Sequence, residues 1–331
     1  MKRVGFYGFA AVLALVAFLS FRIPTGEFLY VPRDMQSLQG KVKVEGGKAP
    51  DAKGGIFYVD VSVRRSTWLE KVLPFLEPDG ATAIDADDYL SPGSDFDEQH
   101  DAALREMARS EEIAAAVALR EAGFEVKSRP RGVLVDYVED WSPSKGKIKT
   151  GDLIVEVGGR RALTPRALRE AVGNVRPGES VVVTFERGEK TLELTLRTID
   201  SPREAGRPVI GIIVAQAARI ELPVEVTIDL GDVGGPSAGL PFALEVLQRL
   251  GRDVDRGYRV AATGEIELDG SLAPIGGIKQ KTTGVRRSGA EVFLVPVENL
   301  AEARKYAKGM RVIGSHTFKE ALRALAALPK R

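Results

Sequence analysis

Ser237 lies in a segment whose residue types suit nucleophilic catalysis. It follows GDVGGP at 231–236, and three glycines and a proline before a helix make a sharp turn with exposed backbone N–H groups. Pro236 has no N–H, so we expect the amides of Ser237 and of Gly234 or Gly235 to stabilise an oxyanion. Serine is also a frequent helix N-cap residue. A catalytic role therefore needs a base.

The composition restricts which side chain can act as that base. The chain has no Cys and two His, which removes thiolate chemistry and cysteine-ligated metals and leaves little for a Ser-His-Asp triad. A neutral lysine is the alternative base. We predict Lys279, because the flanking PIGGI is apolar and flexible and lies at a helix start, where desolvation and the helix dipole lower an amine pKa. Lys281 is the nearest competitor, two positions on and on another helix face.

The elements that must position these residues follow from periodicity. The helix that begins at Ser237 carries one apolar stripe, made of Leu240, Ala243, Leu244, Leu247 and Leu250. From residue 207 onward strands and helices alternate, with a turn signal at Asp269-Gly270, which indicates an α/β arrangement. Residues 132–199 instead form short β-rich runs separated by turn signals, and 55–63 also reads as a strand.

The β-rich unit resembles a PDZ domain of bacterial proteases. The resemblance is carried by GDLI at 151–154 and Gly158-Gly159. It implies capture of extended peptides beside a groove, with a carboxylate-holding loop near Gly132, Val133 and Leu134. An ordinary hairpin start is the alternative interpretation of these three residues.

Three motifs after residue 207 resemble the proteolytic domain of Lon-type serine peptidases (family S16). They are GPSAG at 235–239, TGEI at 263–266 and DGSLAPIGGIKQK at 269–281. The resemblance implies that Ser237 is the nucleophile, that Lys279 is the general base and that Thr263 orients that lysine. Together with the PDZ unit and the N-terminus, it is closest to the membrane-anchored, PDZ-containing Lon-like proteases. It also implies a homo-oligomer, with a hexamer as one hypothesis.

Two departures from full-length Lon affect the predicted activity. The chain has no G-x-x-x-x-G-K-[ST] loop, so we predict an ATP-independent endopeptidase that cuts unfolded or flexible proteins and peptides, without a cofactor or metal. Many Lon enzymes have Asp three positions before the serine, whereas this chain has Gly234 there. The competing hypothesis is a noncatalytic membrane-anchored PDZ adaptor with a Lon-like assembly domain.

The N-terminus predicts the compartment. Residues 4–21 are uncharged and follow Lys2 and Arg3; at 1.5 Å per residue, such a helix is long enough to span a bilayer. We therefore predict a single-pass signal anchor in the cell membrane, with the N-terminus cytoplasmic and the protease domain extracytoplasmic. A cleaved signal peptide is the alternative.

The expected organisation is an α+β chain in four parts. Residues 1–22 form the transmembrane helix, 23–125 a tether and the N-terminal part of the protease region, 126–200 the PDZ-like domain and 201–331 the Lon-type α/β proteolytic domain. Whether the PDZ-like domain is inserted within the protease fold stays open. The 47 Lys and Arg nearly balance 46 Asp and Glu, so no basic field exists to attract nucleic acid.

Overall fold

The computed structural model describes residues 24–48, 54–89, 96–202 and 204–331. Its α-helices, numbered α1 to α8 along the chain, are Trp68–Val72, Ala86–Tyr89, Phe96–Glu121, Pro165–Gly173, Gly239–Arg249, Ile278–Arg287, Val297–Tyr306 and Phe318–Ala326. Short 3-10 helices cover Pro74–Leu76 and Pro236–Ala238. The strands, β1 to β20, are Pro24–Pro32, Gln36–Ser37, Val42–Val44, Gly55–Tyr58, Val61–Thr67, Thr82–Asp85, Lys127–Val138, Leu153–Val157, Arg160–Arg161, Ser180–Arg187, Lys190–Arg197, Ile199–Asp200, Pro208–Val209, Ile212–Glu221, Val226–Ile228, Arg259–Ala262, Glu265–Ile266, Leu272–Ala273, Val292–Pro296 and Arg311–Ser315.

A five-stranded sheet carries the candidate site. Its order is β2, β4, β16, β19 and β20; the last four run parallel and β2 is antiparallel. Val260 and Ala262 join a core that includes helix α5, whereas Ala261 and Phe293 join a second core with Ile278 of helix α6. Because successive side chains of a strand point to opposite faces, each face of this sheet is covered by helices, as in α/β proteins.

The region before the β-rich unit belongs to this same sheet. Strand β4 (Gly55–Tyr58) pairs in parallel with β16 (Arg259–Ala262), about two hundred positions later in the chain. Helix α3 (Phe96–Glu121) packs against α5, and its Ala114 and Ala118 are fully buried in the core beside Leu244. A smaller antiparallel sheet has the order β5, β1, β6 and borders helix α6 through β1.

The β-rich unit is built on a sheet of order β11, β10, β8, β7, β14, with β9 paired to β8. Its core is distinct from the two cores of the five-stranded sheet and includes Val133, Val183, Phe185 and Leu196. Helix α4 (Pro165–Gly173) begins at the N-cap residue Thr164, whose hydroxyl accepts from the amide of Ala167. The helix packs against this sheet, so the unit has its own sheet, helix and apolar interior.

The structure does not support the predicted transmembrane helix or the predicted single-pass membrane localisation. No helix in the described part of the chain is both long and apolar enough to cross a lipid bilayer. Residues 1–22, on which the prediction was made, lie outside the described residues. The fold found is a mixed α/β arrangement with a PDZ-like domain.

Candidate active site

Ser237 is presented by a tight turn at the start of helix α5. The 3-10 turn Pro236–Ala238 leads directly into Gly239–Arg249, and Gly235 has a φ of 92°. At Gly239 a Cβ atom would lie 2.8 Å from the side chains of Ile266 and Ser110, so only glycine permits this approach of the helix. Ser237 opens into a cleft of about 490 Å³, which the segments around Asp60–Val63 and Asp232–Gly234 also line.

The amine that contacts the serine belongs to Lys281. Its Nζ atom lies 2.6 Å from Ser237 Oγ and 3.3 Å from Thr263 Oγ1. Burial lowers the pKa of the Lys281 amine from its ordinary value to about 8, while the nearby Asp60 carboxylate opposes that change. Desolvation disfavours the charged form of an amine, so a large fraction of this lysine is neutral near pH 8 and can accept a proton from the hydroxyl.

The predicted pairing of Lys279 with Ser237 does not occur in this structure. The amine of Lys279 donates to the carbonyl of Ala81 at 3.1 Å and to Thr82 Oγ1 at 2.9 Å. Two positions along a helix correspond to a rotation of about 200°, so Lys279 and Lys281 face different neighbours. Helix α6 directs Lys281 toward Ser237 and Lys279 toward strand β6.

Helical periodicity could have identified Lys281 from the sequence. Ile278, Thr282 and Val285 are buried, and the spacing 278, 281, 282, 285 is that of one helix face. Lys281 occupies the single polar, chargeable position of this stripe. The apolar residues immediately before Lys279 belong to the loop that precedes the helix, so they do not indicate which face of the helix is buried.

Thr263 holds the serine segment and the lysine together. This buried residue directly follows strand β16, at the carboxyl end of the parallel sheet, where α/β proteins form their sites. Its hydroxyl donates to the carbonyl of Ser237 at 3.1 Å and accepts from Lys281 Nζ. The next amide, of Gly264, also donates to the Ser237 carbonyl at 2.7 Å. The family resemblance implied that Thr263 orients Lys279, whereas the amine that its hydroxyl contacts in the structure is that of Lys281.

The two glycines before the serine differ in what their amides can do. The amide of Gly235 donates to the carbonyl of Ala103 at 2.7 Å, so it is already engaged and the predicted oxyanion role does not suit it. Gly234 lines the cleft and approaches helix α3 closely, since a Cβ atom there would lie 2.7 Å from that of Ala103. The amides of Gly234 and Ser237 remain the candidates for oxyanion stabilisation.

The residues predicted to bind peptides in the PDZ-like unit lie inside a sheet. Gly132, Val133 and Leu134 belong to strand β7 (Lys127–Val138). Strand β14 pairs with all three, and β8 pairs with Val133 and Leu134 from the other edge. At Gly132 a Cβ atom would come 2.4 Å from the carbonyl oxygen of Ile154, which leaves no room for a ligand there. These residues do not form an open carboxylate-binding loop.

Comparison with known proteins identifies both domains. Residues 213–325 match the Lon protease (S16) C-terminal proteolytic domain, and residues 121–198 match the PDZ domain family. The Lon protease of Desulfosudis oleivorans is 30% identical over 202 residues, covering 55% of this chain and 24% of that protein. Lon protease 2 of Thermus thermophilus is 29% identical over 217 residues, covering 58% and 27% respectively.

A solved PDZ domain, from the SdrC-like protein of Listeria monocytogenes, is 25% identical to this chain. The match covers 27% of this chain and 92% of that chain. Its TM-score of 0.25 is too low to bear on the fold. This chain spans about a quarter of the length of the two Lon proteases. The chain thus carries a Lon-type proteolytic domain and a PDZ domain, which confirms those two predicted resemblances.

Proposed function

We propose that this chain is a serine endopeptidase in which Ser237 is the nucleophile and Lys281 the general base. The observation that carries the proposal is the 2.6 Å contact between Lys281 Nζ and Ser237 Oγ, made by a buried amine whose pKa is lowered to about 8. The Lon-type match over 213–325 includes both residues. Lys281 therefore replaces Lys279 as the proposed base.

The reaction follows from this geometry. Ser237 Oγ attacks the carbonyl carbon of the scissile peptide while its proton moves to the neutral Lys281 amine. The resulting ammonium then protonates the leaving amine, and an acyl-enzyme ester remains on Ser237. A water molecule attacks the ester, Lys281 takes and returns its proton, and the serine is regenerated. Thr263 keeps the lysine amine aligned with the hydroxyl throughout.

Three finer features complete the proposal. The sequence contains no phosphate-binding loop of the P-loop type, so we infer that this chain cleaves without ATP and acts on unfolded or flexible proteins and peptides. We also infer a homo-oligomer, for which the resemblance implies a hexamer as one hypothesis, and solution mass measurement tests this. The pairing of β4 with β16 supports assigning residues before the PDZ unit to the protease fold, with the PDZ unit inserted between its parts.

The test is cleavage of an unstructured protein such as casein by the purified chain without nucleotide. We expect Ser237→Ala to abolish cleavage and kcat/KM of the unsubstituted chain to rise with pH through about 8, as Lys281 loses its proton. Circular dichroism and the unfolding midpoint of Ser237→Ala provide the folding control. Undiminished cleavage by a folded Ser237→Ala protein would rule the proposal out. A folded chain that neither cleaves nor labels with a serine-reactive phosphonate up to pH 10 would favour the noncatalytic adaptor.

A further inference from the structure

Strand β14 covers one edge of strand β7 in the sheet of the PDZ unit. PDZ domains bind an extended peptide by adding it as a strand to an open sheet edge. Here strand β7 (Lys127–Val138) is paired with β8 on one edge. Strand β14 (Ile212–Glu221) pairs antiparallel with the other edge along nearly its whole length, with irregularities after Ile213 and Ala217. Strand β14 therefore leaves no room for an external strand on that edge of β7.

The first half of β14 also has the side-chain contacts of a bound peptide. Ile212 and Val214 pack against the PDZ core, and helix α4 (Pro165–Gly173) packs against the strand. Gln216 Nε2 donates to the carbonyl of Leu163 at 3.2 Å, just before that helix. Residues 212–217 therefore lie between a sheet edge and a helix, anchored by alternate side chains and one polar contact.

The second half of the same strand belongs to the protease. Ala218 and Ile220 pack against the core that contains Val260, Ala262 and helix α5. The Oε1 atom of the buried Gln216 accepts from the amide of Leu268 at 2.8 Å, in the segment that follows Thr263 along the chain. A single strand thus contributes to both hydrophobic interiors, and Gln216 stands at the crossover.

We propose that residues 212–217 are an intramolecular ligand of the PDZ domain. An external peptide reaches β7 only by displacing them, and it must be extended, with apolar side chains at the positions of Ile212 and Val214, because those positions face the PDZ core. The side chain of Ile213 is 43% exposed, so the external peptide needs no apolar side chain at that position. This inference concerns peptide binding and is independent of whether the chain cleaves peptides.

The test compares two neighbouring substitutions in the full-length chain carrying Ser237→Ala, so that the probe is not cut. Val214→Asp places a charge against the PDZ core, whereas Ile213→Asp places it in solvent. The probe is a fluorescent synthetic peptide with the sequence of residues 212–221, IIVAQAARIE. Hydrogen–deuterium exchange reports on strands β7 and β14, and fluorescence anisotropy reports on binding.

Without either substitution, we expect slow exchange in 212–217, comparable to that of β7, and no binding of the probe at 10 μM. Val214→Asp should raise exchange in 212–217 by at least a hundredfold and bind the probe with a micromolar Kd, while Ile213→Asp behaves like the parent. The proposal is overturned if the parent exchanges 212–217 at unfolded-chain rates, or if it binds the probe at β7 without loss of protection in 212–217. It is equally overturned if Val214→Asp frees the strand and the probe still does not bind. If Val214→Asp unfolds the whole PDZ unit, the parent alone tests the proposal: slow exchange in 212–217 supports it, and exchange at unfolded-chain rates overturns it.

Discussion

Lys281 combines two properties that a serine-activating base needs. Its amine is buried, which favours the neutral form, and it keeps two polar contacts, to Ser237 and Thr263, which fix its direction. A surface lysine such as Lys319 is exposed to solvent, so nothing favours its neutral form in the same way. The reactivity we assign to Ser237 thus depends on where the helix places one amine.

The two lysines of the KQK segment form a matched pair for mutagenesis. We expect Lys281→Ala to reduce kcat by at least about a thousandfold, because loss of a general base removes proton transfer in the attack step. Lys279→Ala should keep kcat within about tenfold, since its amine contacts Ala81 and Thr82 and not Ser237. Initial rates on a fluorogenic peptide at pH 8.5 check both. The reverse ranking would restore Lys279 as the base.

Burial of Lys281 also makes stability depend on pH. The pKa of its amine falls from 10.5 in the unfolded chain to about 8 in the folded one, so between these values the unfolded state binds more protons and stability rises with pH. The charged form costs on the order of 3 kcal/mol of folding stability near neutral pH. We expect Lys281→Met to be more stable than the parent at pH 7 and to lose that advantage by pH 11.

Urea unfolding of both proteins, at steps of one pH unit from 7 to 11, measures this difference. Because the two proteins share all other titrating groups, the contributions of those groups to the pH dependence of stability cancel in the difference. A stability difference that stays constant across the range would mean that the amine is not desolvated in the folded protein.

At the scale of elements, helix α6 positions Lys281 through its packing on the N-terminal segment. A Cβ atom at Gly284 would lie 1.9 Å from the carbonyl oxygen of Arg33, so the helix and the backbone after strand β1 touch without an intervening side chain. Ser288, at the end of the helix, donates to Gly284 and accepts from the amide of Met35. The backbone around Arg33 and Met35 therefore fixes the position of helix α6, which carries Lys281.

Replacement of Gly284 by Ala tests this packing. Ala normally stabilises a helix interior by about 1 kcal/mol relative to Gly, but here we expect a loss of about 2–3 kcal/mol, because the backbone must move apart, together with reduced kcat. Gly173→Ala is the control, since nothing lies within 4 Å of its added Cβ atom at the end of helix α4; it should be neutral or slightly stabilising. Chemical denaturation measures both, and equal effects would contradict the tight approach.

At the scale of the molecule, charged contacts supplement strand β14 between the PDZ unit and the protease. Arg169 of helix α4 pairs with the buried Glu267 at 3.1 Å, and Arg109 of helix α3 pairs with Asp136 of β7 at 2.9 Å. Desolvation raises the pKa of the Glu267 carboxyl, and Arg169 opposes that rise. The PDZ unit is thereby tied to the segment that follows Thr263.

Arg169→Met should therefore destabilise the protein in a pH-dependent way. Without the guanidinium, the folded-state pKa of Glu267 rises further above its unfolded value, so stability is kept at pH 4 and lost as pH rises through that folded pKa. We expect a loss of about 1–3 kcal/mol at pH 8 and a small one at pH 4. Arg166→Met, which breaks the exposed pair with Glu170 on the same helix, should cost less than about 0.5 kcal/mol. Equal losses at pH 4 and pH 8 for Arg169→Met would argue against this role.

Local patterns in the sequence determined much of the architecture and predicted the kind of chemistry that we propose. The glycine-proline turn before Ser237, the apolar stripe of the following helix and the TGE and PIGGIKQK segments are each readable within a few residues, because capping, periodicity and turn preferences are local. The residue types predicted a serine nucleophile with a lysine base, and the Lon-type resemblance of these motifs implied that Thr263 supports that lysine. The short β-rich runs of 132–199 indicated a separate unit, and its resemblance to a PDZ domain rested on GDLI at 151–154 and Gly158-Gly159.

The tertiary structure decided which lysine meets the serine and which strand fills the PDZ edge. Lys279 and Lys281 share one motif in which helical periodicity favours Lys281 for the buried face, but contact of that face with Ser237 depends on how helix α6 packs against residues from Arg33 to Thr82, far away in the chain. The pairing of β7 with β14 across more than seventy residues is equally non-local. Contacts of this kind arise from the packing of whole elements into common cores, and no short stretch of sequence contains them.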